Sequence, residues 1–94
     1  MNACLLQVDF YLAGCRSLKE KRQRLKGIRE RYGKTTNLAV CESDHQDTHS
    51  RAQWSFIASA ADPAVVEGTL MELERSLQLS VDAEVVNVQR EWLV

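Results

Sequence analysis

Four side chains capable of metal binding or proton transfer stand in one polar stretch: Asp44, His45, Asp47 and His49. Imidazole and carboxylate groups are common metal ligands, and they also serve as general acids and bases. A metal site requires such groups to converge, and the spacing here offers no strong fourth ligand. Loops are rich in the same residue types, so we predict a polar loop with neither a bound metal nor a catalytic role.

Cys15 is a second candidate for chemistry, because Arg16 and Lys19 follow it and cationic neighbours favour the thiolate. A nucleophilic cysteine also needs an orienting base, and none is evident in the sequence. The three cysteines are an odd number without Cys-x-x-Cys spacing, which is typical of a protein in a reducing cytoplasm. We therefore predict a non-enzymatic protein without a cofactor.

The strongest chemical signal is a run of cations from Arg16 to Lys34. Nine basic and two acidic residues give this run a net charge of +7, whereas three basic and eleven acidic residues give the rest of the chain −8. A separation of charge this large indicates an anionic partner for one face of the protein.

The run also has the pattern of an amphipathic helix. Its apolar arc comprises Leu18, Leu25, Ile28 and Tyr32. The cations form two rows beside this arc, one of Arg22, Lys26 and Arg29 and the other of Arg24 and Arg31. Two such rows would straddle a phosphate backbone, and the arginine share modestly favours phosphate recognition. The predicted RNA contacts are Arg16, Lys19, Arg22, Arg24, Lys26, Arg29 and Arg31.

One lysine departs from this pattern, because Lys21 falls inside the apolar arc. Its ammonium group could reach solvent along its aliphatic stem, or it could pair with a carboxylate such as that of Asp9. The turn before the helix, Gly14 to Ser17, lacks the glycine spacing of a phosphate-binding loop, so we expect an ordinary capped turn.

Hydrophobic periodicity predicts the scaffold that carries these residues. Strands are expected over residues 4–12, 37–42, 52–60 and 84–92, with a polar loop over 43–50. The first helix begins at Ser17, where Glu20 completes a capping box, and it ends near Tyr32 with Gly33 as its stop. The second helix runs from Asp62, an N-cap followed by proline, to about Leu77.

This element order predicts a single α+β domain spanning residues 1–94. Two helices would cover one face of a four-stranded antiparallel sheet in the order 4-1-3-2, which is the ferredoxin-like βαββαβ fold. Inward-facing positions include alternate residues from Cys4 to Leu12, alternate residues from Trp54 to Ala58, and Val86 and Val88.

Two segments resemble a known family. Gly14-Cys15-Arg16-Ser17-Leu18-Lys19-Glu20-Lys21-Arg22 is similar to the signature of the YlxP-like bacterial proteins, a family of small domains of unknown function. Ala39 to Glu42, followed by Asp47 and Arg51-Ala52, is similar to the second-strand and loop region of that family. The resemblance implies a ferredoxin-like fold and a genomic association with translation and ribosome maturation. It implies no established reaction and no catalytic residues.

These observations favour an accessory protein that binds structured RNA, such as ribosomal RNA. Two alternatives stay open: a module that docks an acidic protein partner, and a regulatory domain that binds a small ligand. The open sheet face presents Leu5, Tyr11 and Ile57, which suit homodimerisation better than base stacking. No apolar run approaches the length of a membrane span, and no secretory signal is evident, so we expect a cytoplasmic location without membrane contact.

Overall fold

The computed structural model describes every residue from Met1 to Val94, and its elements follow the predicted order. They are β1 (Asn2–Tyr11), α1 (Leu18–Tyr32), β2 (Leu38–Asp44), β3 (Arg51–Ala60), α2 (Pro63–Ser80) and β4 (Glu84–Trp92). All neighbouring strands are antiparallel, and their order is β2-β3-β1-β4, which is the predicted order read from the other edge. The predicted ferredoxin-like fold is confirmed.

The core is one apolar layer between the sheet and the two helices. The inward side of β1 is completely buried from Cys4 to Phe10 at alternate positions, as strand periodicity requires. Their partners come from the inward side of β3 and from both helices: Trp54, Phe56, Ala58, Leu25, Ile28, Val66, Leu70, Leu73 and Leu77. The other face of the sheet is uncovered.

Both helices begin at the predicted caps. The Ser17 hydroxyl accepts a hydrogen bond from the Glu20 backbone N–H at 3.0 Å, and the Asp62 carboxylate accepts one from Ala64 N–H at 2.9 Å. The reciprocal half of the capping box does not form, because the Glu20 carboxylate turns towards Arg24 instead. Each cap satisfies a backbone donor that the first helical turn leaves free.

The end of α1 differs from the expected left-handed glycine stop. Gly33 caps the helix with φ −67°, and its N–H donates to Arg29 O at 2.8 Å. A Cβ atom at Gly33 would lie 2.5 Å from that oxygen, so glycine is required by close approach of the backbone. The left-handed residue in this turn is Asn37, with φ 75°.

One predicted core position in β4 is wrong. A β-bulge shifts the register against β1, so that Phe10 pairs with Val85 while Asp9 pairs with Asn87. The extra residue, Val86, turns outward and is 47% exposed. Val88 packs against the core as predicted, and Val85 takes the place of Val86, because a bulge reverses the alternation of the strand beyond it.

Candidate functional site

A groove with a volume of about 460 Å³ lies between α1 and the end of β2 with the loop that follows it. We call it the α1–β2 groove. The inward face of β3 contributes Trp54, while α1 supplies one wall and the β2–β3 segment the other. Its lining residues are Leu18, Lys21, Arg22, Leu25, Lys26, Arg29, Glu30, Glu42, Gln46, Asp47 and Trp54.

Helix α1 carries a line of exposed cations that begins beside the groove and continues along its wall. We call this line the cation row: Lys19, Arg22, Lys26 and Arg29. Spacings of three and four residues place these side chains on one stripe of the helix. At 1.5 Å per residue the row spans about 15 Å. None of the four forms an ion pair with a carboxylate of this chain, and the same holds for Arg16 just before the helix. The row therefore presents unneutralised positive charge.

Arg29 also contacts the groove's aromatic residue. Its guanidinium carbon lies 5.7 Å from the centroid of the Trp54 ring, within cation–π range. Trp54 is 4% exposed, and its indole Nε1–H is buried without a hydrogen-bond acceptor. This contact places the Arg29 guanidinium over Trp54 at one end of the cation row.

Arg24 and Arg31, predicted as a second row of RNA contacts, form hydrogen bonds with other segments of the chain. The side chain of Arg24 is 15% exposed and donates to Ala13 O at 2.8 Å and to Asp82 O at 2.9 Å. Arg31 donates to the hydroxyls of Ser76 and Ser80 on α2, at 3.2 and 2.9 Å. These two arginines join α1 to neighbouring segments of the chain.

Lys21 fixes the opposite wall of the groove. It is 3% exposed, and its ammonium donates to His45 O at 2.7 Å and to Thr48 O at 2.9 Å. The same nitrogen lies 3.0 Å from Glu42 Oε2. The suggested carboxylate partner, Asp9, lies on the open sheet face, where it accepts hydrogen bonds from Gln53 and Asn87. Lys21 therefore holds the β2–β3 loop against α1.

The wall held by Lys21 is acidic and polar. Glu42 is neutralised by Lys21, whereas Asp47 is exposed and forms no ion pair. The Gln46 side chain donates to Glu42 O at 3.1 Å and so lies over the end of β2. The α1–β2 groove thus offers cations on one side and hydrogen-bond acceptors on the other. Sequence patterning did not single out Glu42 or Trp54, because only the tertiary packing brings them beside α1.

The four candidate side chains of the polar loop are not gathered at one point. No group of three or more His, Cys, Asp or Glu side chains converges in the structure. The Asp44 carboxylate accepts from His45 N–H at 2.7 Å, and His49 Nδ1 lies 2.8 Å from Cys15 O. The Cys15 side chain is buried, and its thiol contacts Ser17 O at 3.4 Å. These contacts shape the loop and the turn before α1.

The open sheet face combines separated apolar residues with a polar band. Tyr11 and Ile57 are 44% and 38% exposed. Between them, Asp9 accepts hydrogen bonds at 3.1 Å from both Gln53 and Asn87, which lie on the strands on either side of β1.

No helix of the structure is long and apolar enough to span a membrane.

Comparison with solved structures shows the same fold in a protein described as "Structural Genomics, protein YJCS", with a TM-score of 0.58 and 10% sequence identity. The match covers 95% of this chain and 96% of that one. Comparison with curated proteins finds no significant match. Comparison with protein families matches residues 3–90 to DUF503, described as a protein of unknown function. The chain therefore belongs to the DUF503 family.

Proposed function

We propose that this protein is a non-enzymatic accessory protein that binds structured RNA through the cation row. The observation that carries the proposal is a line of exposed cations on α1 and just before it that form no ion pair within the chain: Arg16 and the four residues of the row. Arg24 and Arg31 on the same helix hydrogen-bond to other segments of the chain, whereas the row forms no ion pair. The charge of the row is therefore not needed to hold the fold together. RNA supplies the extended line of negative charge that such a row would bind.

The row's geometry favours contact with a backbone over readout on the sheet. Its cations are spaced about 4.5–6 Å apart along the helix axis, from a rise of 1.5 Å per residue. The open face has Tyr11 as its exposed aromatic on β1, beside the polar band, and that is a poor platform for stacking bases. We therefore propose binding by phosphate contacts along α1.

The resemblance to YlxP-like proteins supports a role in translation or ribosome maturation, with ribosomal RNA as the partner. In this proposal the protein acts in the cytoplasm and carries out no reaction of its own. An acidic protein segment is the alternative partner for the same surface. If the alternative holds, crosslinking in cells would recover an acidic protein and not RNA. The experiment below therefore separates the two partners.

The test is the salt dependence of RNA binding, measured by fluorescence anisotropy with labelled hairpin fragments of ribosomal RNA. Five phosphate contacts predict that log K falls by about 3.5–4.5 per decade of salt, at about 0.7–0.9 per neutralised phosphate. The double variant Arg22→Glu/Lys26→Glu should lose most of the binding. Both side chains are exposed, so the fold should persist in circular dichroism.

The matched control is Arg51→Glu/Arg75→Glu, which makes the same change in net charge at exposed positions outside the groove. It should retain most of the RNA affinity. Equal binding by the wild type and the Arg22/Lys26 variant would refute the proposed surface. Absence of RNA binding, together with in-cell crosslinks to an acidic protein that the Arg22/Lys26 variant abolishes, would establish the alternative.

A further inference from the structure

We infer that the α1–β2 groove holds one unpaired guanine nucleotide of the bound RNA, with its phosphates on the cation row and its base edge on Asp47. This inference rests on the proposed RNA binding and adds a base preference to it. The inference comes from the difference in charge between the two walls of the groove. A phosphate backbone, which is anionic along its whole length, would not match both walls.

The two walls demand a ligand with two kinds of group. The helix side carries three cations, Arg22, Lys26 and Arg29, against one carboxylate, Glu30, so it favours anions. A phosphate near Asp47 would instead meet an unpaired carboxylate. The ionised Asp47 carboxylate repels anions and only accepts hydrogen bonds, so the acidic wall favours hydrogen-bond donors. A nucleotide satisfies both walls, because its phosphate is anionic and its base can donate.

The chemistry of a carboxylate selects among the four bases. An ionised carboxylate only accepts hydrogen bonds, and it can accept two in parallel. Guanine presents two adjacent donors on its Watson–Crick edge, the N1–H and the N2 amino group. Adenine and cytosine place an acceptor nitrogen beside their single amino donor, and uracil places its one donor between two carbonyls. The edge of guanine is thus the best match to Asp47, and it is accessible only when the base is unpaired.

The size and lining of the groove fit a single nucleotide. Its volume of about 460 Å³ falls in the range of small-molecule sites, about 300–1,000 Å³. Leu18 and Leu25 supply apolar contact, and the guanidinium of Arg29 is held at Trp54. Guanidinium planes stack on unpaired bases in RNA complexes, so Arg29 can cover the face of the base.

The acidic wall is fixed before any ligand binds. Three contacts from the Lys21 ammonium hold Glu42 and the carbonyls of His45 and Thr48 in place. In the sequence, Asp47 lies between His45 and Thr48, whose carbonyls are both held by Lys21. A preformed wall lowers the conformational cost of binding and allows it to discriminate between bases.

The test uses RNA hairpins that differ only in one loop base, titrated against a Trp92→Phe protein. Trp92 lies on the opposite edge strand, so in this variant the fluorescence reports on Trp54, the other of the two tryptophans. We expect the guanine hairpin to bind roughly 5- to 150-fold tighter than the other three, the discrimination of one bidentate base contact. The emission of Trp54 should change on binding.

Asp47→Asn in the same background should reduce the guanine preference to less than about threefold. Asp44→Asn is the matched control, since it removes a nearby charge at the end of β2 that does not line the groove, and it should retain the preference. Salt-dependent binding with equal affinity for all four hairpins would refute the guanine site and leave the proposed function intact. If neither the wild type nor the Trp92→Phe protein binds any of the hairpins, both the guanine site and the proposed RNA binding would be refuted.

Discussion

Replacing Lys21 with methionine should destabilise the protein more than any other single charge removal on α1. Methionine keeps most of the aliphatic stem but lacks the ammonium, which donates to two loop carbonyls and contacts Glu42. The exposed fraction of the Lys21 side chain is 4% and that of Glu42 is 22%, so water can compensate Glu42 only in part. The variant would thus leave a partly buried carboxylate without its partner.

The expected loss in unfolding free energy is about 2–4 kcal/mol. Breaking a fully buried ion pair costs about 3–5 kcal/mol, and the partial exposure of Glu42 lowers this. Each loop carbonyl that loses its donor adds about 1 kcal/mol unless the loop turns outward to water. Against a total stability of about 5–15 kcal/mol for a domain, this loss is large. The melting temperature should fall by roughly 10 °C or more.

Urea denaturation followed by circular dichroism measures the effect. Arg22→Met is the matched control, because Arg22 is adjacent in sequence, exposed and without an ion-pair partner. It should change the unfolding free energy by less than about 0.5 kcal/mol. The double variant Lys21→Met/Glu42→Gln should recover about 1–2 kcal/mol of the loss by removing the uncompensated charge. Lys21→Met and Arg22→Met proteins of equal stability would refute the assignment of Lys21 as the residue that holds the loop.

Two other predictions test surfaces outside the groove. Arg24→Met should lower the unfolding free energy by about 1–2 kcal/mol in urea denaturation, because Ala13 O and Asp82 O lose their donor, whereas Arg16→Met should have almost no effect. Equal stability of the two variants would contradict a structural role for Arg24. The open sheet face should mediate weak homodimerisation, and Ile57→Lys should shift the sedimentation equilibrium towards monomer. A strictly monomeric wild-type mass at high protein concentration would rule this out.

The elements of the candidate site were predictable where the controlling interactions are local. The cation row follows from the three- and four-residue spacing of Lys19, Arg22, Lys26 and Arg29, since helical periodicity alone places them on one stripe. The groove was not predictable, because Trp54 and Asp47 reach α1 only through the pairing of β2 with β3. For the same reason, the sequence did not distinguish the cations that hydrogen-bond to other segments from those of the cation row. Arg24 and Arg31 find acceptors on segments up to 58 residues away in sequence.

The sequence by itself determined the order of the elements, the strand alternation in β1 and β3, and the caps at Ser17 and Asp62. Each of these depends on neighbouring residues through backbone periodicity or a hydrogen bond within one helical turn. Tertiary structure alone decided the bulge that turns Val86 outward and the partner of Lys21. A bulge depends on the register against β1, and a buried ammonium takes whichever acceptors the packing places within reach. Long-range geometry of this kind leaves no mark in local sequence spacing.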